Sequence, residues 1–269
     1  MIDLGSGSPL VLVPGIQGRW EWMRPAVDAL AARCRVLTSS LAGDPGSGAP
    51  IDPRLGFDSF VAQIDGMRER AGLDRVAVCG ISFGGLVAVR YAAMRPDHVT
   101  ALVVVSTPGP RWRPDARVGR YVRHPVAMAP LFAAGAPRRL GPEIVSAGDG
   151  WWSSLRFAAR HTARVLAAPM SPARMSQRVR LAGDIDFVAA CAKVRAPTLV
   201  VTGEPALDRV VPVDATREYA GLISGGRVVT LERTGHIGLV TRPERFAAIV
   251  GDFVEEAGGR EARGVRIEA

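Results

Sequence analysis

"RVAVCGISFGGLVAVRYA", residues 75–92, passes from a run of small and β-branched residues into glycine, then serine, then an apolar stretch with helical character. Read as strand, sharp turn and helix, it places Ser82 at the crest of the bend within Gly80-Ile81-Ser82-Phe83-Gly84. This is the G-x-S-x-G nucleophile-elbow pattern. Such a turn forces its central residue into a strained conformation, so the residues two before and two after it must be small. In return an Oγ is exposed at the C-terminal edge of a sheet, in front of a helix N-terminus that favours negative charge. In a chain with 30 glycines the bare pentapeptide is a weak signal. The buried strand before it and the helix after it give it weight. A tight turn needing only glycine and a small polar residue is the plain structural alternative.

Serine becomes a useful nucleophile only when a base takes its proton. Of the four histidines, His98 falls in a turn, while His124 and His161 fall in an arginine-rich stretch. His236, in "ERTGHIGLV", follows the last expected strand with glycine on either side, and loops at strand C-termini are where α/β sheets place working residues. His236 is therefore the expected base. The acid that orients it is sought in "VVTGEPALDRVVPVD" (200–214). Asp208 lies on the loop itself and is preferred, Glu204 at the strand end is second, and Asp214 suits the cap of the next helix. Oxyanion donors are expected at the backbone N–H groups of Phe83, after the serine, and of Ile16, after Pro14-Gly15 in "VPGIQGRW". Gln17 either adds a side-chain amide there or faces solvent.

Outward from these motifs, "PLVLVPG" (9–15), "RVLTSS" (35–40), "RVAVCG" (75–80) and "VTALVVVST" (99–107) read as buried strands alternating with helices. The pattern resumes with "APTLVVTGE" (196–204) and "GRVVTLE" (226–232). Alternation of this kind predicts an α/β domain with a largely parallel sheet. Residues 1–109 and 184–257 form the expected core, residues 110–183 a helical insertion, and the Gly- and charge-rich 258–269 a flexible tail.

The formal charge of +8 is not spread evenly. Residues 110–183 hold 13 arginines against Asp115, Glu143 and Asp149, a net of +10, and the remainder of the chain sums to −2. The basic character is local, and without a recognition module it does not predict a nucleic-acid partner. No apolar run reaches the roughly 20 residues of a membrane span. The N-terminus lacks the basic region of a signal peptide. Cys34, Cys79 and Cys191 are widely spaced and sit in apolar surroundings, as buried thiols of a reducing, cytoplasmic setting do. No zinc, Walker-type or dinucleotide motif is present, so no metal or cofactor is expected.

Through "VPGIQG", "GISFGG", "TGEPALDRVVP" and "TGH", in that order, the chain resembles the α/β-hydrolase superfamily over most of residues 8–109 and 184–256. The resemblance implies a mostly parallel eight-stranded sheet, a Ser82–Asp208–His236 triad and an inserted all-helical cap. Pro14-Gly15 departs from the His-Gly of many relatives, but the oxyanion contact uses backbone. The implied activity is cofactor-independent hydrolysis of a small-molecule carboxylic ester, lactone or thioester. Carbon–carbon bond hydrolysis, amide hydrolysis or perhydrolysis by the same triad is the alternative, and a non-catalytic ligand receptor is the alternative of another class. Serine at the elbow disfavours dehalogenase and epoxide-hydrolase relatives. Within the insertion, "WWSSLRFAARHTARVLAA" (151–168) repeats Arg156, Arg160 and Arg164 along one helix face. They read either as a solvated face or as an entrance that draws in an anionic substrate. Trp20, Trp22, Trp151 and Trp152 read equally as an acyl pocket or as packing residues.

Overall fold

The computed structural model describes residues 1–148 and 150–264. Short apolar runs covered on both faces become the inner strands β2 (Pro9–Val13), β3 (Arg35–Thr38), β4 (Val76–Ile81), β5 (Val99–Val105) and β6 (Thr198–Thr202), and the more exposed β7 (Arg227–Thr230) forms an edge; all six run parallel. Strand β1 (Ile2–Leu4) adds an antiparallel edge to β3, giving the order β1-β3-β2-β4-β5-β6-β7. The sheet thus has seven strands among the described residues, one fewer than the resemblance implies. The residues before β2 supply a single three-residue strand, and Gly5 and Gly7, both at positive φ, turn the chain away from the edge.

Side chains alternate across the sheet at period two. Val76 and Val78 of β4 face one apolar cluster and Ala77 and Cys79 the other. The first cluster is closed by α2 (Ser59–Arg70), α3 (Phe83–Met94), α9 (Phe187–Cys191) and α10 (Val213–Leu222). The second is closed by α1 (Arg24–Ala31), α11 (Gly238–Thr241) and α12 (Pro243–Gly264). All three cysteines are free and buried, and burial pushes the Cys191 thiol up to about 12. Helix α12 continues through 258–264, where a tail is expected. Its Arg-Glu-Ala-Arg stretch is made of good helix formers, and residues 265–269 lie outside the described residues. No described helix is long and apolar enough to cross a membrane.

Between β5 and β6 the chain leaves the sheet for α4 (Ala116–Arg123), α5 (Pro125–Ala134), α6 (Ala136–Ala147), α7 (Trp151–Ala167) and α8 (Pro172–Gly183). From α8, Arg178 is fully buried, donating to the Ile16 carbonyl at 2.8 Å and pairing with Asp44. Gly18 makes room for this pair: a Cβ there would run into the Arg178 guanidinium and the Asp44 carboxylate. Removing one member of a buried ion pair strands its partner, at a cost of about 3–5 kcal/mol. Arg178→Met should lose that much stability in urea denaturation. Arg178→Met/Asp44→Leu should recover more than half of the loss.

Candidate active site

Strand order reverses between β2 and β4, since the chain moves outward from β2 to β3 and returns to β4 on the other side. A crevice opens at the carboxyl ends of strands at such a switch point. Here it brings the Gly15–Gly18 turn after β2 to face Ser82 after β4. The turn is closed by the Gly18 N–H on the Gly15 carbonyl at 2.9 Å, and a Cβ on Gly15 would stand 3.5 Å from that of Ser82.

Ser82 has φ 53° and ψ −120°, a region L-residues avoid. The flanking glycines are required by contact. A Cβ on Gly80 would strike the backbone of Gly84, and one on Gly84 the carbonyls of Val13 and Pro14. Phe83 opens α3, where helix N–H groups lack partners within the helix. Ser82, Phe83, Ile16, Gln17 and His236 all line one cavity of about 1430 Å³.

Beside it, His236 and Asp208 form a pair, Nδ1 to Oδ2 at 3.4 Å, with the Asp208 carboxylate almost wholly buried. The other carboxylate oxygen accepts the N–H groups of Val210 at 3.0 Å and Val211 at 2.9 Å. Burial alone would push the Asp208 carboxyl up. The hydrogen bond and charge of His236, with the two N–H groups, outweigh it and hold the carboxyl below its usual value. Glu204 is engaged elsewhere: it accepts the N–H of Arg233 at 2.6 Å, supporting that residue's positive φ of 61° in the His236 loop. Asp214 sits in the first turn of α10.

The insertion supplies most of the cavity wall, and of the residues singled out in it only Trp151 takes part. Trp151, Ser154, Leu155, Ala158, His161, Thr162 and Val165 of α7 line the cavity. At 100° per residue this leaves Arg156 and Arg160 exposed on another face, outside the lining. Trp152 also lies outside the lining, stacked on Trp151 with ring centroids 3.7 Å apart. Trp20 packs against the core, and Trp22 lines the cavity instead, its indole N–H donating to the Ala168 carbonyl at 2.9 Å. The cationic lining consists of Arg19, Arg117, Arg139 and Arg209. Arg139 donates to the Phe132 carbonyl at 2.7 Å and, among the described residues, pairs with no carboxylate. Burial, with Arg117 nearby, holds its guanidinium below the usual range, against the influence of Tyr121. His161 is pulled down by burial and by Arg164, and its Nδ1 has no partner among the described residues. Neither Arg139 nor His161 carried a motif or spacing to mark it in the sequence.

The profile described as "alpha/beta hydrolase fold" matches residues 8–243. Among curated proteins, the chain is 26% identical to the 2-hydroxy-6-oxo-2,4-heptadienoate hydrolase of Pseudomonas putida, covering 94% of this chain and 91% of that one. It is 27% identical to the 2-hydroxymuconate semialdehyde hydrolase of a Pseudomonas species, over 95% and 89% of the two chains. Among solved structures, the enol-lactonase from Burkholderia xenovorans superposes with a TM-score of 0.77 at 24% identity, over 94% and 95% of the chains.

Because the folded state depresses the Asp208 pKa, its contribution to stability is complete above the ordinary carboxylate value near 3.9 and is lost as pH falls through the folded value. Asp208→Asn removes that dependence. Urea denaturation of both proteins from about pH 6 to about pH 3 should show their stabilities converging toward acid. A constant gap would mean that the Asp208 carboxylate is not held below its usual value.

Proposed function

We propose, for a chain that belongs to the alpha/beta hydrolase fold family and is an enzyme of the hydrolase class, that it cleaves a carboxylic ester, lactone or thioester through Ser82, His236 and Asp208 without a cofactor. One observation carries the reading. Ser82 is held at φ 53° against a cavity that His236 also lines, and His236 is paired with a buried Asp208.

In this reading His236 accepts the Ser82 hydroxyl proton as Oγ bonds to the substrate carbonyl carbon. Asp208 fixes the imidazole and stabilises the imidazolium. The oxyanion rests on the N–H groups of Phe83 and Ile16, each worth about 3 kcal/mol of barrier. Collapse breaks the carbon–oxygen or carbon–sulfur bond, and the leaving group takes the proton from His236. Water then gives its proton to His236, attacks the acyl-enzyme and releases the acid, and the proton returns to Ser82. The helical insertion serves as the cap that shapes the substrate cavity.

The expected anionic preference rests on the lining arginines rather than on Arg156 and Arg160. Arg139 is best placed, being half-buried and without a carboxylate partner. The heptadienoate named for the Pseudomonas putida relative is itself a carboxylate, in keeping with that preference. His161 offers a neutral ring nitrogen further along the same wall.

A fluorophosphonate probe should label the wild type and neither Ser82→Ala nor His236→Ala. Absence of labelling, together with no turnover of a small activated acetate ester, would overturn the hydrolase mechanism. Arg139→Gln should raise KM about tenfold for a carboxylate-bearing ester, in line with a lost charge-assisted hydrogen bond. A neutral ester of the same size should change by less than twofold. Equal effects on both would remove Arg139 from substrate recognition.

A further inference from the structure

Glu143 is one of three acidic residues in the arginine-rich insertion, and it is completely buried. Helix α6 carries it inward to the loop that holds His236. Its Oε2 accepts the N–H of Ile237 at 3.0 Å, and its Oε1 accepts the Thr241 hydroxyl at 3.2 Å. The peptide N–H immediately after His236 and a hydroxyl of α11 are therefore fastened to one side chain from another part of the fold. A second tie runs the other way, with Arg233 donating to the carbonyls of Ser146 at 2.9 Å and Gly148 at 3.0 Å at the end of α6.

A buried carboxylate is costly unless it is paired and hydrogen-bonded. Among the described residues no arginine or lysine pairs with Glu143. The histidine it flanks is the ionisable group whose charge bears on it. Burial pushes its carboxyl up, while the N–H groups of Ile237 and Gly235, the charge of His236 and the Thr241 hydroxyl oppose this. The other charged groups around this point are Asp208 behind the imidazole, Arg233 on the same loop and Arg139 one turn earlier on α6. One oxygen holds the backbone directly after the proposed base, and the other holds the helix that follows it.

We propose that Glu143 is a positioning residue for the proposed hydrolysis: from the inserted helices it holds the backbone directly after His236 and the helix beyond it, and places a second negative charge, besides Asp208, near the imidazole. The inference rests on the Ser82–His236–Asp208 reading, and it makes the insertion part of the catalytic frame as well as a wall of the cavity. Glu143→Gln keeps a hydrogen-bond acceptor in nearly the same volume and removes the charge. Glu143→Ala removes both.

The test combines steady-state kinetics on a small activated acetate ester with an NMR titration of the His236 ring protons. In Glu143→Ala, kcat should fall by up to about a hundredfold, as for a displaced catalytic group, with KM within about twofold. Glu143→Gln should lie between Glu143→Ala and the wild type. In both variants the His236 titration midpoint should move to lower pH, because the imidazolium loses a neighbouring negative charge. Wild-type kcat and an unmoved midpoint in Glu143→Gln would overturn the proposal, even if Glu143→Ala were unstable. Should the wild type itself be unlabelled and inactive, the hydrolysis reading fails separately. The midpoint then decides alone whether Glu143 acts on His236.

Discussion

The organisation of the molecule turns on one steric constraint: the chain must reverse within five residues between β4 and α3 while β2 presses against the turn. Gly80 and Gly84 give way because no side chain fits between the turn and the backbones beside it, and Ser82 takes up the strain at φ 53°. A strained serine with no function would be replaced at little cost, since an unfavourable backbone region costs on the order of 1–3 kcal/mol. The same geometry directs the hydroxyl into the crevice at the switch point and sets a helix N-terminus behind it. Both follow from the parallel order of β2 and β4, which brings the two loops together before any loop side chain is chosen.

Around that fixed point the loops are held by charge. Asp208 is buried behind His236 with its second oxygen fully occupied by backbone N–H groups. Glu204 fastens the backbone of the His236 loop, and Glu143 fastens it from above. Arg178, also borne by the insertion, fastens the loop after β2 through the Ile16 carbonyl. Loops are ordinarily the mobile parts of a fold, and these are the loops whose placement must be good to a fraction of an ångström for the proposed general-base chemistry. Buried charged groups suit that purpose, because displacing one leaves its partner unpaired in a medium of low dielectric.

The parts legible in the sequence were those written in local pattern. Apolar runs of four to seven residues announced β2 to β6, the elbow followed from glycine spacing, and Asp208 stood apart from Glu204 by its place on the loop. What the sequence hid depends on rotation and on contacts between distant segments. The arginine period of α7 was plain, but whether Arg156 or Trp151 faces the cavity is settled only once the helix is laid on the sheet. Trp20 and Trp22 are two residues apart and indistinguishable by composition, yet one packs on the core and the other lines the cavity. Glu143 and Arg178 meet partners 94 and 162 residues away, and no local signal marks a pairing of that range. One compositional hint existed: an acidic residue in a segment of net +10 was unusual enough to ask what it faces.

The insertion's excess charge and its buried charge belong to different physical problems. Most of its arginines are exposed, where pairing and screening leave each worth little to the fold. Arg139, which lines the cavity, is partly shielded from water, so its charge acts on a ligand more strongly than the same charge on the surface. Arg139, His161 and the Ser82 crevice share one mostly apolar cavity. In the proposed reaction that setting lets a small number of polar groups orient a substrate within a mostly hydrophobic space. On that proposal the net charge of the chain is a poor guide to what it binds, because few of its charges face the cavity.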